Sequence, residues 1–212
     1  MAKGKTTDGI VSKYINRKIS SRITNWIIKR KIGVTPNQVS VISSIIGMLS
    51  FPFFLLGQTI VAGILVQTSS IIDGVDGELA RYYGISSKFG AFFDALLDRF
   101  TDVVVVLGAS IYVLIQGGSS WFVYVVLLTS LSGTLLVSYL HARSEKELGI
   151  HPVFIGRMPN IASRDIRLLI IFIGSLIGMV FEALLLIAIL SNTYVIIKFL
   201  ELSSSFSSKQ KI

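Results

Sequence analysis

Five aspartates stand in stretches of this sequence that are otherwise largely apolar: Asp73, Asp76, Asp94, Asp98 and Asp102. A carboxylate inside a membrane-length helix costs about 2.5–3.5 kcal/mol on insertion scales and marks function by default. Asp73 and Asp76 are three apart, and Asp94 and Asp98 four apart, so each pair shares a helix face. Four converging carboxylates cannot all stay charged and unpaired in a low dielectric. Protons or cations must balance them. An all-oxygen ligand set suits a hard cation such as Mg²⁺ or Mn²⁺. Two such ions can hold the attacking and the leaving oxygen of a phosphoryl displacement.

Small and basic residues surround the carboxylates. Gly77 and Ala80 follow the first pair, and Gly90 precedes Asp94 by one turn. They let a phosphate or nucleotide approach the backbone closely, although glycine in a membrane helix also serves plain helix packing. Arg81 fits a diphosphate. Arg143, Arg157, Arg164 and Arg167 gather further along. A planar guanidinium fork binds phosphate, and a basic cytoplasmic loop would need the same residues for topology alone. Arg164 and Arg167, three apart, are the preferred pair for a phosphorylated acceptor. His141 reads as structural. Asp102 lies one turn beyond Asp98 on the same face and has no assigned role.

The elements that must position these groups are membrane-length helices. Of 212 residues, 52% are hydrophobic and 15% charged, and the mean hydropathy is +0.72. Apolar stretches reach the ~20 residues that cross a hydrocarbon core. Spans are expected over residues 36–56, 59–81, 89–115 and 121–141. The long stretch 168–197 divides near 178–182 into two more, the first beginning near Ser163. Spans two and three, joined by a short turn, are expected as antiparallel neighbours with converging acidic faces. Before them, Ile10, Val11, Tyr14, Ile15, Ile19, Ile23, Trp26 and Ile27 alternate with lysine and arginine. That spacing predicts an amphipathic helix in the plane of a membrane surface, capped near Thr7 or Asp8 and ended by Thr35-Pro36-Asn37.

The expected architecture is therefore all-α and polytopic: a juxtamembrane helix in 1–34, six transmembrane helices in 35–202, and a frayed polar tail in 203–212. Basic residues fall in the N-terminal arm, the 82–88 turn, the 142–167 loop and the tail, whereas the turns near 57, 117 and 180 lack them. Six spans place all basic segments on one side, so both termini and the acidic site are expected to be cytoplasmic, in a protein of the cell membrane. The net charge of +8 thus points to a lipid bilayer, not to nucleic acid. The chain has no cysteine, which excludes disulfide and thiol chemistry.

The spacing Asp73-x2-Asp76-Gly77-x2-Ala80-Arg81-x8-Gly90-x3-Asp94-x3-Asp98 resembles the signature of the CDP-alcohol phosphotransferase family, with every fixed position filled. The resemblance implies an enzyme that moves a phospho-alcohol group from a CDP-alcohol to an acceptor hydroxyl and releases CMP. It implies two divalent cations, held by Asp73, Asp76, Asp94 and part of Asp98. Asp98 would also be the general base, and Gly77, Ala80, Arg81 and Gly90 would border the CDP moiety. Family members are often homodimers. Residues 8–17 and 163–167 look most like the di-myo-inositol phosphate phosphate synthase group, which joins CDP-inositol to inositol 1-phosphate. Many of those carry a cytidylyltransferase domain in front, so here the donor is expected from a separate enzyme. The alternative within the family is a phospholipid synthase using CDP-diacylglycerol or CDP-archaeol with an inositol phosphate or glycerol phosphate acceptor. Outside it stand a membrane prenyltransferase, to which Asp94-x3-Asp98-x3-Asp102 has a superficial likeness, and a cation transporter.

Overall fold

The computed structural model describes Gly9 and residues 11–209, with side chains to residue 205. The expected cap at Thr7 or Asp8, and Ile10, Lys211 and the side chain of Lys209, lie outside the described residues. Helix accounts for all the regular structure described: a π-turn at Ser12–Asn16 running into α1 (Arg17–Lys29), then α2 (Pro36–Met48), α3 (Ser50–Leu55), α4 (Thr59–Tyr83), α5 (Lys88–Ile115), α6 (Trp121–Leu148), a 3₁₀ turn at Pro152–Phe154, α7 (Arg164–Leu176) and α8 (Val180–Lys209).

The boundaries follow local chemistry. Thr35 starts α2 with a capping box: its hydroxyl accepts from the Gln38 N–H, and the Gln38 side chain accepts from the Thr35 N–H at 2.9 Å. Pro36 sits at the first helical position. Ser87 and Ser120 cap α5 and α6 in the same sense. Gly84, with φ +66°, closes α4 in the left-handed conformation that glycine adopts without penalty.

Four segments are long and apolar enough to cross a membrane: Pro36–Leu55, which joins α2 and α3, then Thr59–Tyr83, Trp121–Leu148 and Val180–Ser205. Two of the six expected spans are not among them. α5 has 28 residues but carries Asp94, Asp98, Arg99 and Asp102 within its first 15, and α7 has 13 residues. The long stretch does divide, at Gly178 with φ +74°. Glu182, however, belongs to the first turn of α8, not to the connection. α6 runs two turns past His141, and residues 203–209 continue α8 as helix where a frayed tail was expected.

Spans two and three are not packed neighbours. α4 and α5 make little direct contact, because α2 packs on both. α2 can lie between them because its buried face is Ser40, Ser43, Ser44 and Gly47. A Cβ on Gly47 would collide with the side chains of Thr101 and Ser69. Small residues of this kind let helix backbones approach closely. Ser69 Oγ donates to the Ser43 carbonyl, and the Ser44 and Thr101 hydroxyls meet at 2.7 Å. Deeper in the bundle, Phe54, Ala62, Val66, Val105, Ala109, Val126, Leu184 and Ile187 form the main apolar core.

α1 and the turn before it bury polar as well as apolar side chains. Val11 and Ile27 are buried, but Tyr14, Ile15, Ile19 and Trp26 are exposed, and the buried face includes Asn16, Ser20 and Thr24. The reason is Glu78 of α4, which is 1% exposed. Arg17 Nη1 lies 3.0 Å from Glu78 Oε1, and the Ser20 and Thr24 hydroxyls donate to its two oxygens, each at 2.7 Å. A buried carboxylate demands such partners, so α1 turns polar side chains inward.

Candidate active site

Because α4 and α5 stay apart, the polar end of the bundle holds a cavity of about 730 Å³. α4, α5, α6 and α7 supply most of its wall, and residues of the 9–20 segment complete it. Asp73 and Asp76 reach it from α4, Asp94 and Asp98 from α5. Asp73, Asp76 and Asp94 each offer an oxygen, all within 4.8 Å of one another. Cation–oxygen bonds of about 2.0–2.6 Å place ligand pairs at such separations. Oxygen donors alone, on two rigid helices, fit a hard divalent cation. Asp76 is the buried member. Its two oxygens accept from Ser40 Oγ and from the Gly77 N–H, which fixes the carboxylate's direction.

Asp98 stands outside that group of three and is held by an arginine. Arg164 Nη1 lies 2.9 Å from Asp98 Oδ1 and 3.0 Å from Asp73 Oδ2, while its Nε lies 2.9 Å from Asp102 Oδ1. Arg167 Nη2 lies 3.2 Å from Asp102 Oδ2, and Arg99 approaches the same oxygen at 3.5 Å. Asp102, without a role in the sequence, is thus the buried counter-ion of three guanidinium groups. A fork geometry explains why arginine, not lysine, occupies position 164: one planar group meets three carboxylates.

The remaining expected site residues divide. Gly77 and Arg81 line the cavity, as do Arg164 and Arg167; Ala80, Gly90, Arg143 and Arg157 do not. The Gly90 N–H is capped by Ser87 Oγ at 2.9 Å, which is helix-end chemistry. Arg143 pairs with Glu147 at 2.9 Å on the surface of α6. Arg157 is exposed, and its backbone N–H donates to Glu201. His141 lines the cavity while its Nε2 meets Tyr194 Oη at 2.9 Å.

Several site residues carry little or no mark in the sequence. Glu78 was detectable, since the penalty that singles out the aspartates applies equally to it. Arg99 of α5 was detectable on the same ground, whereas Ser40 gave no such signal. The closure of the cavity by Gly9 and Ser12 also gave none. The Ser12 N–H donates to Asp165 Oδ2 at 2.5 Å, and a Cβ on Gly9 would overlap the Asp165 and Ser163 side chains.

The molecule is a helical bundle with membrane-length segments and a cavity lined by carboxylates and arginines. Residues 33–197 match the CDP-alcohol phosphatidyltransferase family, and the chain belongs to that family, whose enzymes transfer phosphate-containing groups. The prenyltransferase and transporter readings fall away. Among its relatives is the bifunctional IPC transferase and DIPP synthase of Rubrobacter xylanophilus, 38% identical over 186 residues, which are 87% of this chain and 40% of that protein. The chain therefore spans less than half the length of this bifunctional relative. The archaetidylinositol phosphate synthase of Pyrococcus horikoshii is 37% identical over 160 residues, 76% of this chain and 79% of that one. Among solved structures, the fold matches the Mycobacterium tuberculosis phosphatidylinositol phosphate synthase with CDP-DAG bound at a TM-score of 0.72 and 21% identity, over 87% of this chain and 93% of that one.

Proposed function

We propose that the chain transfers a phospho-alcohol group from a CDP-alcohol to a hydroxyl of a phosphorylated polyol and releases CMP. The observation that carries this reading is the cavity in which three carboxylates converge, with Arg164 in contact with one of them, Asp73, and Arg167 behind it on Asp102. Asp73, Asp76 and Asp94 would hold divalent cation, Mg²⁺ or Mn²⁺, with Asp98 beside them when two ions bind. Bound there, the metal supplies charge neutralisation for a diphosphate. Gly77 admits the diphosphate close to the α4 backbone, and Arg81 neutralises it from the same wall.

Asp98 takes the proton of the acceptor hydroxyl. The acceptor oxygen forms a bond to the phosphorus bearing the donor alcohol, the phosphorus–oxygen bond to CMP breaks, and CMP leaves with the electron pair. Asp98 suits this role because Arg164 fixes its Oδ1, while among the described residues the cation nearest its Oδ2 is Arg99, at 3.8 Å. General-base catalysis needs such geometry first. Arg164 and Arg167 hold the acceptor phosphate, with Asp102 keeping both forks in place.

We read the bundle as six spans, α5 and α7 crossing together with the four longer segments, and with the cavity facing the cytoplasm. α1 and the π-turn before it lie on the membrane surface, since Tyr14, Ile15, Ile19 and Trp26 project outward beside Lys18, Arg22 and Lys29.

The first substrate pair is CDP-inositol with inositol 1-phosphate, supported by the likeness to the bifunctional relative. A lipid donor such as CDP-archaeol is the second reading. It is supported by the Pyrococcus protein, which this chain matches over most of its length, and by exposed Leu135 and Tyr139 on the cavity wall. Purified protein in Mg²⁺ is offered CDP-inositol, CDP-archaeol or CDP-diacylglycerol with inositol 1-phosphate, and products are identified by mass. Product from CDP-inositol alone supports the first pair, and product from a lipid donor alone supports the second.

A further inference from the structure

The cavity wall also carries neutral hydrogen-bonding groups with no part in the transfer, with Glu145 near His151 as a charged neighbour. Ser163 is the N-cap of α7, a position where a serine hydroxyl normally accepts from the first turn. Here it makes no such bond. The residue is 7% exposed, and its Oγ, buried in the cavity wall, has no hydrogen-bond partner among the described residues. Asn160, three residues earlier, also lines the cavity with its Oδ1 buried and unpartnered. Two imidazoles complete the cluster, their rings 4.7 Å apart. His141 meets Tyr194 Oη through Nε2. His151 accepts the Val153 N–H on Nδ1 at 3.2 Å, so its proton sits on Nε2. Burial pushes the His151 imidazole below its ordinary pKa, partly opposed by Glu145, which keeps it neutral at neutral pH.

Buried groups with unmet hydrogen bonds are costly and call for a ligand or ordered water that meets them. Hydroxyls both donate and accept, and they carry no charge that these neutral groups would have to balance. We infer that His141, His151, Asn160 and Ser163 form a subsite that reads the hydroxyls of a polyol acceptor, next to the arginines that hold its phosphate. Arg164 follows Ser163 directly in the chain, so the phosphate and hydroxyl contacts are set by one helix start. This rests on the transfer reading and adds to it which side chains discriminate among acceptors.

Ser163→Ala and Asn160→Ala test the subsite. Ser163 caps nothing, so its replacement leaves α7 intact. The acceptor KM is measured for inositol 1-phosphate and for glycerol 3-phosphate, with the donor that releases CMP. Each variant is expected to raise the KM for inositol 1-phosphate about tenfold, to change that for glycerol 3-phosphate less, and to leave the CDP-alcohol KM unshifted. Equal shifts for both acceptors, or no shift, overturn the subsite while CMP release by the unaltered protein still upholds transfer. Absence of CMP release from the unaltered protein with every CDP-alcohol overturns the transfer reading and the subsite together.

Discussion

Asp98 and Asp102 sit one helical turn apart on α5 and receive different duties from their neighbours. Asp98 is within reach of Arg164 on one oxygen only, whereas Asp102 is shared among Arg164, Arg167 and Arg99. Asp98→Asn should lower kcat about 10²- to 10⁴-fold, with little change in thermal stability, because asparagine keeps an oxygen for Arg164. Steady-state CMP release and melting in detergent check both halves. Asp102→Ala should behave in the opposite way. It strips a buried counter-ion from guanidinium groups and is expected to cost about 3–5 kcal/mol, read as a lower melting temperature.

The helices were legible where the signal is local. Spacings of three and four, the capping Thr35 and the turn glycines each act within a few residues, and the structure places boundaries close to them. The relation of α4 to α5 was not legible. It depends on the serine and glycine stripe of α2 fitting between them, a complementarity that no single segment displays. The same holds for α1, whose exposed and buried faces are set by Glu78, 54 residues beyond Thr24. Glu78→Ala removes the acceptor of Arg17, Ser20 and Thr24 and should destabilise the protein by about 3 kcal/mol. Faster proteolysis within residues 17–29 would show that α1 has been released; an unchanged cleavage rate would contradict the assigned role of Glu78. α8 anchors the 155–158 loop in a comparable way. Lys198, fully buried, donates to the Ile155 carbonyl at 2.6 Å, and Glu201 accepts the N–H groups of Arg157 and Met158. Lys198→Met should loosen this loop, lower the melting temperature and raise the acceptor KM more than the donor KM.

The whole molecule is a bundle with an apolar core, in which α2 packs on both α4 and α5, and a polar cavity walled mainly by α4, α5, α6 and α7. The family signature was readable because it concentrates in two helices consecutive in the chain. The closure by Gly9 and residues 12–20 brings Ser12 to Asp165, 153 residues away, and the cavity wall likewise joins α6 to the loop before α7. Such pairings are properties of the fold, which no single segment announces. If Asp73, Asp76 and Asp94 hold divalent cation, EDTA should abolish CMP release and Mg²⁺ or Mn²⁺ should restore it. Metal at about a hundred times its Kd should also stabilise the folded state by about 2.7 kcal/mol, and Asp76→Asn should lose most of that gain. The most direct test of the central claim is CMP release from a labelled CDP-alcohol in the presence of Mg²⁺ and inositol 1-phosphate, compared between the unaltered protein and Asp98→Asn. The account predicts metal-dependent release by the first and a loss of at least about 10²-fold in the second with the Mg²⁺-induced stabilisation retained. Release at equal rates from both proteins, or none from either with any CDP-alcohol, would contradict it.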